Sequence, residues 1–329
     1  MRPFGYVRAR GADEAQRLLA ATPHGAFLAG GTTQVDLMKI GLAAPTTIID
    51  IGALPLAHVE TLPGGAVRIG ALAKMNDVAD DPTMRAAAPA VTRSLALSAS
   101  PQVRNMATIG GNVMQRTRCV YFRDVSQVCN KRRNGEGCSA VGGDDRQMAI
   151  FGASPRCICV HPSDFAVAML TTDATIHLLG PHGRTTIPFG EFHRLPGEDP
   201  TRDTVIGPGE LIEAITFTPS TLTRNATYLK VRDRTSFAFA LVSVAAGLDV
   251  QHGTIRAARL ALGGVAARPW RAHAAEAALV GKPATRATYL AAAEAELQAA
   301  QPQRLNAFKT TLARNAMVRA LALVGGGAA

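Results

Sequence analysis

The chain has 329 residues, which suits two or three domains, since single cores stop growing at about 250–300 residues. Apolar residues make up 47%, as in ordinary globular proteins, while the +10 net charge comes with only 5% aromatic residues and no basic helix or stacking pattern. That combination argues against nucleic acid and for an acidic protein partner or an anionic cofactor.

Met1 leads straight into Arg8, Arg10, Asp13 and Glu14 without the apolar stretch of a signal peptide, so no export address of its own is expected. Ala26-Phe27-Leu28-Ala29 predicts a buried strand, Gly30-Gly31-Thr32-Thr33 a turn, and Val35, Leu37, Met38 and Ile40 a short helix. Thr47 to Ile51, between Pro45 and Gly52, predicts another strand and closes a small α/β unit, residues 1–53.

A second unit, residues 54–220, begins with a predicted strand at Val67-Arg68-Ile69 and one Ala-rich helix from Pro82 to Leu97. A Gly110-Gly111-Asn112 turn, a cysteine-bearing loop (about 115–160) and a helix from Ser163 to Leu170 follow, the helix capped by Ser163 or Asp164. Strands at Ala174 to Leu179 and Glu210 to Phe217 end this unit.

Thr218 to Asn225 reads as a polar linker into a third unit, residues 221–329. There, strands are predicted at Thr227 to Val231, Val242 to Val250 and Ile255 to Leu262, then helices at Ala287 to Ala300 and Leu305 to Val324. Strands followed by helices indicate an α+β domain. The Gly325-Gly326-Gly327 tail is expected to be disordered. The longest apolar run, around Phe237 to Leu248, contains Ser243 and is too short to span a bilayer, so no membrane insertion is expected.

Two glycine turns carry the first chemical signal. In Leu28-Ala29-Gly30-Gly31-Thr32-Thr33-Gln34, glycines between strand and helix let the backbone approach a pyrophosphate, with N–H groups facing its charge and Thr32 and Thr33 adding hydroxyls. Thr108-Ile109-Gly110-Gly111-Asn112 repeats the pattern, and two such turns in adjacent units can clamp one dinucleotide. The G-x-G-x-x-G spacing is absent, and ordinary turn chemistry is the alternative reading of each turn.

All five cysteines fall in one basic stretch: Cys119, Cys129, Cys138, Cys157 and Cys159. The first four are separated by nine, eight and eighteen residues, without the tight pair that zinc sites usually contain, and an odd number disfavours a disulfide framework. Four thiolates on one loop suit a [4Fe–4S] cluster; zinc and plain free thiols remain the alternatives. Arg116, Arg118, Arg123, Lys131, Arg132, Arg133, Arg146 and Arg156 surround them, and such charge would stabilise a reduced cluster. Lys230, in Tyr228-Leu229-Lys230-Val231-Arg232, belongs to a cationic strand that either faces solvent or an anionic flavin ring. Asp164 is either part of a helix cap or a ribose contact. No Ser-His-Asp, paired-carboxylate or H-E-x-x-H arrangement is present, so no catalytic residue is assigned.

These motifs together resemble the FAD-binding medium subunit of the molybdenum hydroxylases, the xanthine dehydrogenase and carbon monoxide dehydrogenase family. The matching pieces are Leu28-Ala-Gly-Gly-Thr-Thr33, Arg104-Asn-Met-Ala-Thr-Ile-Gly-Gly-Asn112, His161-Pro-Ser-Asp164 and Ala261-Leu-Gly-Gly264, spread over the whole chain. Cys119-Val-Tyr-Phe-Arg123, Cys129-Asn-Lys-Arg132 and Gly137-Cys138-Ser-Ala140 look like the insert of the periplasmic aldehyde oxidoreductases, whose medium subunit binds FAD and an extra [4Fe–4S] cluster.

The resemblance implies an α+β chain: a two-subdomain FAD-binding fold of the vanillyl-alcohol-oxidase or carbon monoxide dehydrogenase flavoprotein type, plus a C-terminal α+β domain. It implies FAD contacts from residues 26–34, Thr108, Gly110, Gly111, Asn112, Asp164 and Lys230. It implies cluster ligation by Cys119, Cys129, Cys138 and Cys157, with Cys159 as a departure from the family pattern. It also implies a molybdenum-cofactor large subunit that oxidises an aldehyde, a [2Fe–2S] small subunit, and co-export to the periplasm with a signal-bearing partner, with the cytoplasm as the alternative location. A stand-alone flavoprotein reductase or a zinc-binding scaffold is the alternative.

Overall fold

The computed structural model describes residues 1–326, so of the Gly325-Gly326-Gly327 tail the last residue lies outside it. Among the described residues, twelve strands form three sheets. The first contains β1 (Gly5–Arg8), β2 (Gly25–Leu28) and β3 (Thr47–Asp50), parallel, in the order β1-β3-β2. Its register sets Tyr6 and Ala26 on either side of Ile48. The β-branched run of β3 buries Ile48 and Ile49 and makes it the central strand. Strand β1 and the helix Ala12–Ala21 were not anticipated, because β1 is largely exposed and lacks apolar alternation.

The second sheet holds β4 (Val59–Thr61), β5 (Val67–Gly70), β6 (Thr175–Gly180), β7 (Gly183–Pro188) and β8 (Leu211–Phe217), antiparallel, in the order β4-β5-β8-β6-β7. The last strand therefore closes the sheet at its centre, with Ile69 opposite Ile215 and Ile176 on the other side. Met84, Val91, Leu95 and Phe165 pack into the same buried core. The single helix expected from Pro82 to Leu97 is two, Pro82–Ala87 and Pro89–Ala96. Ala88 between them sits at φ −152°, ψ 70°, because Pro89 bars the residue before it from helical geometry.

The third sheet orders β9 (Ala226–Val231), β10 (Val242–Gln251), β11 (Thr254–Gly263) and β12 (Trp270–Arg271) as β12-β11-β10-β9, all antiparallel. Val242, Val244, Leu260 and Leu262 bury against Tyr289 of the helix Arg286–Leu297 and Met317 and Leu321 of the helix Phe308–Val324. Lys309, in the first turn of that last helix, is fully buried. Its Nζ donates to the carbonyls of Gln147 (2.8 Å), Met148 (3.0 Å) and Gly264 (2.8 Å), tying the return of the cysteine loop to the third sheet. No helix among the described residues is long and apolar enough to cross a membrane.

Candidate functional site

The two glycine turns meet. A Cβ on Gly30 would stand 1.9 Å from the Met106 carbonyl oxygen, so only glycine lets the β2 turn close on the segment leading into Thr108. Together they wall a cavity of 650 Å³ between the first and second sheets. Ala26, Phe27, Ala29, Gly30, Gly31, Thr32, Thr33 and Gln34 line it from one side, and Thr108, Gly110 and Gly111 from the other. Leu28 is not among the lining residues, and Arg116, Asp203, Thr204 and residues 206–212 are also part of the wall.

The turns are not equivalent, which corrects the expectation that each offers backbone donors. Ile109 N–H bonds Ala73 (3.0 Å), Gly110 N–H bonds Ala71 (2.7 Å) and Gly111 N–H bonds Thr108 Oγ1 (3.3 Å), all within the protein. The N–H groups of Gly30, Gly31, Thr32, Thr33 and Gln34 have no acceptor among the described residues. Gly31 holds φ +74°, a left-handed conformation of the kind that lets successive N–H groups face one side. Five adjacent unpartnered donors at the mouth of a cavity are chemically suited to a pyrophosphate. The residues of the first turn therefore fit the anionic part of a dinucleotide, and the second turn supplies close approach and the Thr108 side chain.

Asn112, Asp164 and Lys230 do not line this cavity. Asn112 is buried behind it, donating to Met75 Sδ (3.2 Å) and accepting from Ser163 Oγ (2.5 Å). Ser163, which caps the helix Asp164–Met169 through Ala166 N–H, lines a second cavity of 390 Å³ together with Asp164. The Asn112–Ser163 bond thus stands between the two cavities. Asp164 Oδ2 accepts from Lys230 Nζ (2.7 Å) and Ser98 Oγ (2.9 Å), and its Oδ1 accepts from Tyr228 (2.6 Å). Lys230 also donates to the Leu97 carbonyl and is buried, so it is no solvated face.

The second cavity brings Arg118, Cys119, Arg123 and His161 beside Asp164. Arg118 Nε and His161 Nε2 are buried and unpartnered among the described residues. His161 Nδ1 accepts from Ser163 N–H, which leaves the proton on Nε2. Burial, with His193 and Lys131 nearby, holds this imidazole well below its ordinary pKa, so it is a neutral donor.

The cysteine loop is held by its own polar residues. Asn130 accepts from Gly135 and Gly137 N–H (2.9 and 2.8 Å) and donates to the Arg156 carbonyl (2.9 Å). Arg132 donates to the carbonyls of Tyr121, Phe122, Asp124 and Gln127. Lys131, between them, is buried and paired with Asp203 (2.5 Å), which also takes Arg116 (2.6 Å). Asp36, on the helix Gln34–Lys39 just after the first turn, receives Arg118 (2.9 Å) and Arg123 (2.8 and 2.9 Å). Two carboxylates therefore bolt the loop to the cofactor cavity, and neither was visible in the spacing of the motifs.

Most of the expected cationic shell is spent on these pairs. Arg156 meets Glu198, Arg146 meets Asp233 and Arg133 meets Glu136. Lys131 alone faces Cys157 and Cys159; burial works against its charge, but Cys159, Asp203 and Cys157 raise it to about 12.

All five cysteines are free thiols, and Cys129, Cys157 and Cys159 are buried. Cys129 and Cys138 face each other across an isolated antiparallel bridge. Cys119 packs against the apolar group containing Cys129, against the one that Cys138 borders, and against the pair Cys157 and Cys159. Burial first of all pushes the Cys119 thiol up to about 11, and electropositive iron would reverse that by taking the thiolate. No three His, Cys, Asp or Glu side chains among the described residues converge as they would on one ion. A tetrahedral zinc at about 2.3 Å from each sulfur would hold its thiolates within about 3.8 Å of one another. A cubane would place each thiolate on a separate iron and so would not require that convergence, and the groups that Cys119 touches gather the other thiols on its side of the loop.

A cavity with a run of free backbone donors between two small sheets, followed by an α+β unit, defines a flavin-dinucleotide-binding protein. Residues 2–220 match the FAD binding domain in molybdopterin dehydrogenase, and residues 226–324 the CO dehydrogenase flavoprotein C-terminal domain. The chain belongs to the FAD-binding medium-subunit family of the molybdenum hydroxylases. It is 42% identical to the aldehyde oxidoreductase FAD-binding subunit PaoB of Escherichia coli (strain K12), over 98% of each chain. It is 27% identical to the carbon monoxide dehydrogenase medium chain of Hydrogenophaga pseudoflava, over 97% of this chain and 96% of the other. The solved carbon monoxide dehydrogenase from that organism superposes with a TM-score of 0.76 at 27% identity, covering 100% of both chains.

Proposed function

We propose that this chain is the FAD- and [4Fe–4S]-binding electron-transfer subunit of a molybdenum-dependent aldehyde oxidoreductase. The carrying observation is full-length 42% identity to an aldehyde oxidoreductase FAD-binding subunit, in a chain whose first turn leaves five N–H groups free. When bound, FAD and the cluster supply electron-exchange chemistry, accepting electrons from a partner's iron–sulfur centres and passing them to an external acceptor.

The chain's own residues bind and orient. Gly30 to Gln34 take the pyrophosphate, with Thr108, Gly110 and Gly111 opposite. The flavin ring belongs to the second cavity, where Arg118 Nε and His161 Nε2 await acceptors and Asp164, held by Lys230 behind it, is part of the wall. Cys119, Cys129, Cys138 and Cys157 ligate the cluster. Substrate oxidation lies on a molybdenum-cofactor large subunit, a [2Fe–2S] small subunit completes a heterotrimer, and the complex is exported folded to the periplasm by the partner's signal.

Absorbance and metal analysis of the purified full chain test this reading. A flavin spectrum with a broad iron–sulfur shoulder and about four irons per chain is expected. A colourless protein containing zinc would overturn it, and so would aldehyde oxidation by this chain without any molybdenum-bearing partner.

A further inference from the structure

Cys159 is one thiol more than a four-iron cluster needs. Its segment is pinned on both sides: Ala149 N–H donates to the Ile158 carbonyl (2.8 Å), and His161 N–H donates to the Ala266 carbonyl (2.8 Å). Ser154 and Cys157 exchange backbone bonds at 3.1 Å in a tight bridge just before it. Side chains on such an extended stretch alternate. Ile158 goes to the apolar group of Ala140 and Met148, while Cys157 and Cys159 both go to the opposite side, against Ala267 and Cys119. Cys157 and Cys159 thus lie side by side in one buried group with Ala267, and Cys119 packs against that group. Alanine would fill this space as well; what the sulfur adds is the capacity to hold iron.

We propose that Cys159 is a reserve cluster ligand, interchangeable with Cys157 at the fourth iron. This rests on the cluster reading given above. The exchange balances within the pair: an iron–sulfur bond forms at Cys159 as the bond at Cys157 breaks, and the proton leaving the Cys159 thiol ends on the released Cys157 thiolate beside it. No oxidant, reductant or external proton is consumed. Cys119, Cys129 and Cys138 have no second thiol at this distance in sequence, so only the fourth position is duplicated.

Iron content and the electron paramagnetic resonance of the reduced full chain test this, with flavin content as the check on folding. Wild type and Cys159→Ser are expected to hold equal iron, Cys157→Ser to retain it with an altered signal, and Cys157→Ser/Cys159→Ser to lose it. Loss in Cys157→Ser as complete as in the double variant overturns the proposal while leaving the cluster in place. Absence of iron from wild type overturns both. Should Cys157→Ser fail to fold, chelator-driven iron release decides instead: Cys159→Ala must release iron severalfold faster than wild type, and equal rates overturn the proposal.

Discussion

Lys131 and Asp203 form a buried ion pair 2.5 Å long that joins the thiol side of the cysteine loop to the wall of the dinucleotide cavity. Asp203 is shared with Arg116, which lines the same cavity. Removing the carboxylate leaves two cations without their partner, one of them fully enclosed. Asp203→Ala is expected to lower stability by about 3–5 kcal/mol, the usual result of breaking a buried pair from one side. Chemical denaturation measures the loss. Replacing Lys131 by Met as well should recover part of it, which a simple packing defect would not show.

The β2 turn separates two contributions to flavin retention. Gly30→Ala puts a carbon against the Met106 carbonyl, so the turns must part and both stability and flavin are lost. Thr32→Val keeps the backbone and removes one hydroxyl donor from the cavity. It should weaken flavin retention about tenfold, the equivalent of roughly 1.4 kcal/mol, with the melting temperature of the flavin-free protein unchanged. Flavin titration of both variants checks the difference.

The cationic strand of Lys230 suits either solvent or a flavin ring, and the Lys230 charge is matched by Asp164 at 2.7 Å. Lys230→Met therefore strands a buried carboxylate held by Tyr228 and Ser98. A loss of about 3–5 kcal/mol is expected, and Asp164→Asn in the same chain should restore much of it. Thermal melts of the single and double variants give the answer.

His161 and His193 stack edge to face with centroids 4.5 Å apart, both fully buried. Burial lowers His193 to about 4 and His161 well below the ordinary imidazole value. Above about pH 6.5 both folded and unfolded states hold them neutral, so they have no pH effect there. As pH falls below that, the unfolded chain takes up protons the fold refuses, and stability declines until about pH 4, where His193 protonates in place. Each imidazole contributes up to about 1.4 kcal/mol per pH unit across that window. His193→Gln should flatten the slope by close to one proton in unfolding measurements from pH 7 to 4.5.

What could be read in advance was local. β-branched runs such as Thr47 to Asp50 and Leu211 to Phe217, and the capping serine at Ser163, announce their elements within a few residues. Cys119 to Cys157 announce a site by residue type alone. The pairings that shape the site are not local: Asp36 with Arg123, Asp203 with Lys131 and Asp164 with Lys230 lie 87, 72 and 66 residues apart. A basic stretch looks the same in sequence whether its charges face a cofactor or are each matched by a carboxylate, and here most are matched. Likewise Asn112 looked like a ligand contact because it follows two glycines, yet its side chain serves Ser163 and Met75.

Lys309 closes the loop that began at Cys119, and a ribosome delivers it about 150 residues after Cys157. Until then the carbonyls of Gln147 and Met148 have no ammonium to gather them, and the strand that brings in Gly264 has no strut behind it. The return of the thiol-bearing loop is thus completed by a residue of the C-terminal helix, although the loop's own sequence lies in the first half of the chain. The loop's return thus borrows its last anchor from the far end of the polypeptide, so a chain cut short before the final helix would lose that anchor while keeping every thiol.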